Sequence, residues 1–231
     1  MKLSDVAPAH AVGALGRILE LQATDPTAST TVKHVPDAVG VHVADALVAL
    51  KLPYVAAAMR IADLGSGAGW PGLALAAALP AAHVWLVESQ VRHCRYLEKA
   101  VEIGPLPNVT VVNARAEGWP DGLGAHDLVT ARALAALPVI LEYAAPLLAD
   151  DGHVVAWKGA VGEPELAAGV AAATILGLEP LPIVPVAPFP GARDHTLHPF
   201  RKIAPTPERY PRRPGMAAKR PLTARSGRTA R

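Results

Sequence analysis

The chain has 231 residues, 51% apolar but only 4% aromatic, with a net charge of +2, so one Ala/Val/Leu-rich domain of about 150–200 residues with extensions is expected. Its single cysteine, Cys94, excludes an internal disulfide framework and a cysteine-based zinc site. The most apolar stretches, Leu73–Val87 and Leu166–Leu178, are too short or interrupted to span a bilayer, and the start of the chain has no signal-peptide pattern, so a cytoplasmic location is expected.

The charge is unevenly placed. Residues 201–231 hold ten Lys/Arg against one acid, a net of +9, whereas the first 200 residues carry 12 basic against 19 acidic side chains, a net of −7. An acidic body with a basic tail points to a polyanionic partner or to a solvated tail that aids solubility.

In chain order, 5–22 and 36–51 read as helices, with Pro36 at the first position of the second and His42 and Asp45 on one face of it. From residue 59 short apolar runs alternate with helical stretches. Strands are expected at 59–64, 83–88, 109–113, 127–131 and 153–158, with helices at 71–79, 91–103, 137–148 and 163–176. Buried strands alternating with helices indicate a mostly parallel, doubly wound α/β sheet. The Pro-rich stretch 180–190 suits an edge strand or an extended connection, 195–203 a last strand, and the segment from Pro205 a partly disordered tail.

The chemistry concentrates at the end of the first strand, in Asp63-Leu-Gly65-Ser-Gly67-Ala-Gly69-Trp70-Pro71-Gly72. Glycines open backbone conformations closed to other residues and let a ligand approach the main chain. Gly67-x-Gly69-x-x-Gly72 fits a dinucleotide fingerprint, while Gly65-x-Gly67-x-Gly69 after an acid fits a methyl-donor loop, and the loop alone does not choose between them. Glu88, at the second strand's tip, stands where a ribose-binding carboxylate is expected. Ala116 and Glu117 follow the third strand and Arg132 the fourth, so all face one crevice beyond the carboxyl ends of the strands. His195 and His198 fall on opposite sides of a strand and lack further ligands, so no metal site is read. Cys94 lies among Arg92, His93 and Arg95, but a buried helix thiol is the simpler reading.

Taken together, several stretches resemble the RsmG (GidB) family of small-subunit ribosomal RNA methyltransferases. They are His42-Val-Ala-Asp45-Ala-Leu47, ADLGSGAGWPGLALA, VESQVRHCRYL, Arg115-Ala116-Glu117, Asp127-Leu-Val-Thr-Ala-Arg132-Ala133, Trp157-Lys158-Gly159 and PERYPRRPGMAAKRPL. The resemblance spans about residues 34–222. It implies a Rossmann-like class I methyltransferase that uses S-adenosylmethionine to methylate N7 of one guanine in 16S rRNA. An N-terminal helical extension (1–52), a catalytic domain (53–204) and a basic tail (205–231) are expected. It further implies cofactor contacts at Gly65, Trp70, Ala116, Glu117 and Arg132, beside Gly67, Gly69 and Glu88 of the same crevice. A class I methyltransferase on a small molecule or protein, or an NAD-type oxidoreductase, are the alternatives.

Guanine N7 carries a lone pair and no proton, so no general base is expected and rate should come from proximity and orientation. Phosphate contacts are expected from Arg92, Lys158, Arg201, Lys202, Arg212, Arg213, Lys219 and Arg220. The partner is then 16S rRNA or the 30S particle; the sequence does not fix the oligomeric state, and a monomer is slightly favoured.

Overall fold

A computed structural model of the chain describes residues 1–223. After a 3-10 turn, Leu3–Asp5, the chain forms α1 (Ala9–Thr24). The single helix expected over 36–51 is instead a broken run: α2 (Val35–Ala38), π-helical turns at Val39–Ala44, α3 (Asp45–Leu47) and a 3-10 turn at Val48–Lys51, before α4 (Pro53–Ala56). The wide turns occur where Arg132 takes the Val41 carbonyl and Gly40 lies against Phe189, as π-turns tend to occur where a helix engages a site.

The alternating part follows as β1 (Arg60–Leu64), α5 (Gly72–Ala78), β2 (His83–Glu88), α6 (Val91–Ile103), β3 (Val109–Asn113), β4 (His126–Arg132), α7 (Leu137–Ala144), β5 (Leu148–Lys158) and α8 (Glu163–Leu176). Then come β6 (Leu178–Pro180), β7 (Val184–Pro185), β8 (Thr196–Lys202) and α9 (Met216–Lys219). The sheet order is β3-β2-β1-β4-β5-β8-β6, with β7 also on β8. β1 to β5 are mutually parallel, and β8 runs antiparallel to β5. The chain winds outward from β1 to β3, then returns to β4, so the switch point lies between β1 and β4.

Both faces of the sheet are covered. Leu15, Ile18, Leu73, Leu75, Tyr96 and Leu97 pack on one side; Leu137, Ile140, Leu141, Ala172, Leu176 and Phe200 pack on the other. That burial explains why the inner stretches of β1 and β4, Ile61–Leu64 and Leu128–Ala131, are apolar apart from Asp63 and Thr130. α7 is followed by a 3-10 turn at Ala145–Leu147 with Pro146 near its start, and β5 begins at Leu148, opposite His126. Between β1 and β4, Thr130 Oγ1 donates to the fully buried Asp63 at 2.8 Å.

The basic tail is partly internal. Tyr210, Ala217 and Leu222 are buried against the α7 side of the molecule. Arg212, expected at the surface as a phosphate contact, is bidentate on the buried Glu142 carboxylate at 2.6 and 2.5 Å. Lys202, expected likewise, is buried and donates to the Leu148 carbonyl at 2.6 Å, with burial lowering its pKa. The disorder expected from residue 205 therefore does not apply to this packed stretch, and 224–231 lie outside the described residues.

Two stability effects follow. Arg212→Ala leaves Glu142 charged and buried without its partner, and should cost about 3–5 kcal/mol in urea unfolding; an unchanged midpoint would show that the pair contributes nothing. Burial pushes the Asp63 carboxyl up from 3.8 to about 6. The folded state thus binds that proton more tightly than the unfolded chain, and stability falls as pH rises through this window. Between pH ~4 and ~7 the wild type should lose about 2 kcal/mol relative to Asp63→Asn; parallel stability–pH curves for the two proteins would refute this.

Candidate active site at the switch point

The glycine loop has the backbone its sequence demands. Gly65, Gly67 and Gly69 have φ of 65°, 52° and 96°, in the left-handed region that side chains disfavour. A Cβ on Gly65 would lie 2.6 Å from Leu134 Cδ1, and one on Gly69 2.1 Å from Leu73 Cδ1. The Gly65 amide donates to the Val87 carbonyl at 2.9 Å, and the Gly67 amide to Glu88 Oε2 at 3.0 Å.

Two cavities flank Gly65. The larger, about 560 Å³, runs from Gly65–Ala68 past Trp70 and Arg132 to Trp157–Gly159, Arg193 and His195. The smaller, about 250 Å³, is lined by Ser89, Ala114–Glu117, Leu134, Tyr143 and Ala218. Gly65 lines both, with Leu134 against it.

Of the residues expected to meet a cofactor, Gly65, Gly67, Trp70 and Arg132 line the larger cavity, and Ala116 and Glu117 the smaller. Gly69 and Glu88 line neither. Gly69 makes the turn, and Glu88, buried, holds the Gly67 amide while its Oε1 accepts from the Gln90 amide at 2.8 Å, at the start of α6. The Glu117 side chain, only 3% exposed, already has its carboxylate engaged. It accepts from the Gly215 amide at 2.9 Å and from Arg115 at 3.2 Å. What the Ala116–Glu117 pair presents is mainly its turn.

Arg132 is more firmly held than its sequence position suggests. Its Nη1 donates to the Val41 carbonyl and to Asp45 Oδ2, both at 2.9 Å, and its Nη2 to His42 Nδ1 at 3.0 Å. A guanidinium only donates, so His42 Nδ1 must accept and its Nε2 carries the proton, which faces Thr30 Oγ1 at 3.1 Å. Burial, aided by the Arg132 charge, lowers the His42 pKa to about 3, so the ring is neutral. It stacks on Trp70 at 5.6 Å, within 4° of parallel. Trp70 Nε1 in turn donates to the buried Gln22 of α1 at 2.7 Å. Asp45 Oδ1 pairs with His195 Nδ1 at 2.8 Å, and the Asp45 carbonyl accepts from Trp157 Nε1.

Among the expected phosphate contacts, Lys158 lines the cavity but pairs with Glu165 at 2.8 Å, and Arg201 pairs with Glu179 at 3.2 Å. Arg92, Arg213, Lys219 and Arg220 are exposed and make no ion pair among the described residues. Cys94 is buried, its thiol donating to the Glu88 carbonyl, and burial raises its pKa. His195 and His198 go to separate partners, Asp45 and Thr196.

Sequence reading missed Arg193, Gln22 and the role of His195. A signal existed for Arg193 and His195. Because β8 is antiparallel, its first residues lie at the carboxyl ends of the parallel strands and so border the crevice.

Among the described residues no helix is long and apolar enough to cross a membrane. The family model for GidB, rRNA small subunit methyltransferase G, matches residues 23–188. The chain is 42% identical over 187 residues to ribosomal RNA small subunit methyltransferase G of Rubrobacter xylanophilus, covering 78% of this chain and 72% of that protein. It is 39% identical over 172 residues to the protein of that name from Bacillus subtilis, covering 70% and 69%. In fold it is similar to a SAM-dependent O-methyltransferase from Thermotoga maritima, with a TM-score of 0.55 at 16% identity over 76% of this chain and 72% of that one. It is also similar to a predicted O-methyltransferase from Agrobacterium tumefaciens, with a TM-score of 0.53 at 22% identity over 70% and 80%. The dinucleotide reading of the glycine loop gives way to these matches: the fold is that of class I methyltransferases, and the chain belongs to the GidB family of S-adenosylmethionine-dependent rRNA methyltransferases.

Proposed function

We propose that the protein methylates N7 of one guanine in 16S ribosomal RNA, presented as free RNA or in the 30S particle, in the cytoplasm. Family membership supports the substrate class, and the carrying observation is the cavity that runs from the glycine loop to the ends of β5 and β8. In this reading residues 1–52 close the site from the N-terminal side, 53–204 form the catalytic domain, and 205–231 form the basic extension.

The residues fit S-adenosylmethionine. Gly65 has no Cβ and borders both cavities, as a ligand with a nucleoside at one end and an amino acid at the other requires. The backbone of Gly65, Gly67 and Gly69, the Trp70 wall, the turn at Ala116 and Glu117, and Arg132 would hold it. Glu88 would offer its carboxylate on exchanging the Gly67 amide for a ribose hydroxyl. The bound group supplies a sulfonium methyl: the N7 lone pair forms the new C–N bond, the C–S electron pair stays on sulfur, and the positive charge passes to the base.

No proton leaves N7, so the protein's task is to orient and to exclude water. Trp70 stacked on His42 forms a rigid wall, and the Arg132 pairs fix the N-terminal segment over the strand ends.

Small-subunit particles lacking the modification, incubated with the protein and the methyl donor, should gain 7-methylguanosine in 16S rRNA, read by mass spectrometry of digested nucleosides. No such nucleoside, or calorimetry in which NAD binds and S-adenosylhomocysteine does not, would sink the reading. Phosphate contact falls to Arg92, Arg213, Lys219 and Arg220, whose side chains are uncommitted. The triple variant Arg213→Glu, Lys219→Glu, Arg220→Glu should bind rRNA more weakly and with a shallower dependence of log K on log salt, by about one unit of slope per lost contact. An unchanged slope would remove this face from the interface.

A further inference from the structure

One buried acid in the larger cavity has work that the binding of a methyl donor does not explain. Asp45, 5% exposed in its side chain, receives Arg132 Nη1 on Oδ2 at 2.9 Å and His195 Nδ1 on Oδ1 at 2.8 Å. A carboxylate beside a guanidinium accepts only, so the proton of the second contact sits on His195 Nδ1. That leaves the lone pair of neutral His195 on Nε2, at the other side of the ring. Nε2 has no hydrogen-bond partner among the described residues. The ring lines the cavity and is one-third exposed, with the edge of Phe189 against it at 5.6 Å and 85°. An acid oriented on one imidazole nitrogen with the other left open is an arrangement for presenting an acceptor.

We infer that the Asp45–His195 pair presents this acceptor to the N1–H or amino group of the target guanine, making His195 a catalytic and specificity-determining residue. The inference rests on the guanine-N7 reading above. As N7 takes up the methyl group the base becomes cationic, and its N1–H and N2–H groups become stronger donors. An acceptor there binds the transition state more tightly than the ground state, which is the condition for raising turnover.

The surrounding charges agree. Arg132 is paired to Asp45 and Lys158 to Glu165, so neither opposes a base turning positive with an unpaired charge. Arg193 also lines the cavity; exposed and with no ion pair among the described residues, it is free to meet a phosphate of the substrate. The same acceptor discriminates. Adenine carries a lone pair, not a hydrogen, at N1, and would face Nε2 lone pair to lone pair.

The test compares His195→Ala and His195→Gln with wild type, the glutamine keeping an amide oxygen that can accept. With saturating small-subunit particles, single-turnover formation of 7-methylguanosine by His195→Ala should fall about 10- to 100-fold. The KM for particles, the S-adenosylhomocysteine affinity and the thermal midpoint should stay near wild type, and His195→Gln should recover a large part of the rate. Wild-type turnover in His195→Ala overturns the inference. So does a loss of midpoint and S-adenosylhomocysteine affinity that matches the loss of rate, which would make His195 a brace for Asp45, or a glutamine variant no better than alanine. Failure of the wild type itself to form 7-methylguanosine overturns the parent reading, and is seen before any variant is compared.

Discussion

The ion pair between Arg132 and Asp45 organises the site. One partner comes from the end of β4 and the other from the short α3, and the guanidinium also takes the Val41 carbonyl and His42 Nδ1. Removing either partner would leave the other charge buried and unpaired, which costs far more than the pair contributes when intact. The N-terminal helical run is therefore locked onto the switch point, and it accepts π turns at Val39–Ala44 to reach it. Everything on that run, including the stacked His42–Trp70 wall and the Asp45 contact to His195, is placed by this attachment.

A second buried pair does the same on the opposite side of the sheet. Glu142 of α7 and Arg212 of the C-terminal segment draw the tail across the core, and Gly215 then donates to the Glu117 carboxylate at the rim of the smaller cavity. Ala218, from the same segment, lines that cavity. A tail whose composition suggests a solvated polycation thus divides its cations. Lys202 and Arg212 are structural, while Arg213, Lys219 and Arg220 remain outside.

The sheet was legible because its central strands are buried on both faces and its turns are marked by glycine; the Ile61–Leu64 and Leu128–Ala131 runs leave little alternative. The glycine loop was legible as a ligand loop, since three positive-φ positions in five residues have few other uses. What could not be read is pairing across distance. Arg132 meets Asp45 over 87 residues and His195 meets Asp45 over 150, and no local pattern encodes such contacts. Basic side chains read as exposed by default, so the inward course of Lys202 and Arg212 was invisible until Glu142 and the Ala145 and Leu148 carbonyls were placed beside them. The edge role read for 180–190 holds in β7, whereas β6, which starts at Leu178 and ends in Pro180, was not read; both lie against one side of β8, where missing amide donors are tolerated. The helix at 36–51 failed for a related reason: tertiary contacts to Val41 and Gly40 override its local propensity.

A reaction that attracts a polyanion and then turns one of its bases into a cation makes two opposed electrostatic demands. Cations are needed to gather phosphates, yet the same charges close to the reacting base would resist the chemistry. At ~0.1 M salt the Debye length is about 10 Å, so exposed charges act mainly on their own neighbourhood. The structure separates the demands in space. Arg132 and Lys158, which line the cavity, each face a carboxylate; of the cations without an ion pair among the described residues, Arg193 stands at the β8 side of the cavity, and the others named here lie on α6 and the C-terminal segment. Asp45 and Glu165 thus damp the positive field of Arg132 and Lys158 at the reacting base, while Arg193 at the cavity edge and the basic periphery are left to meet phosphates.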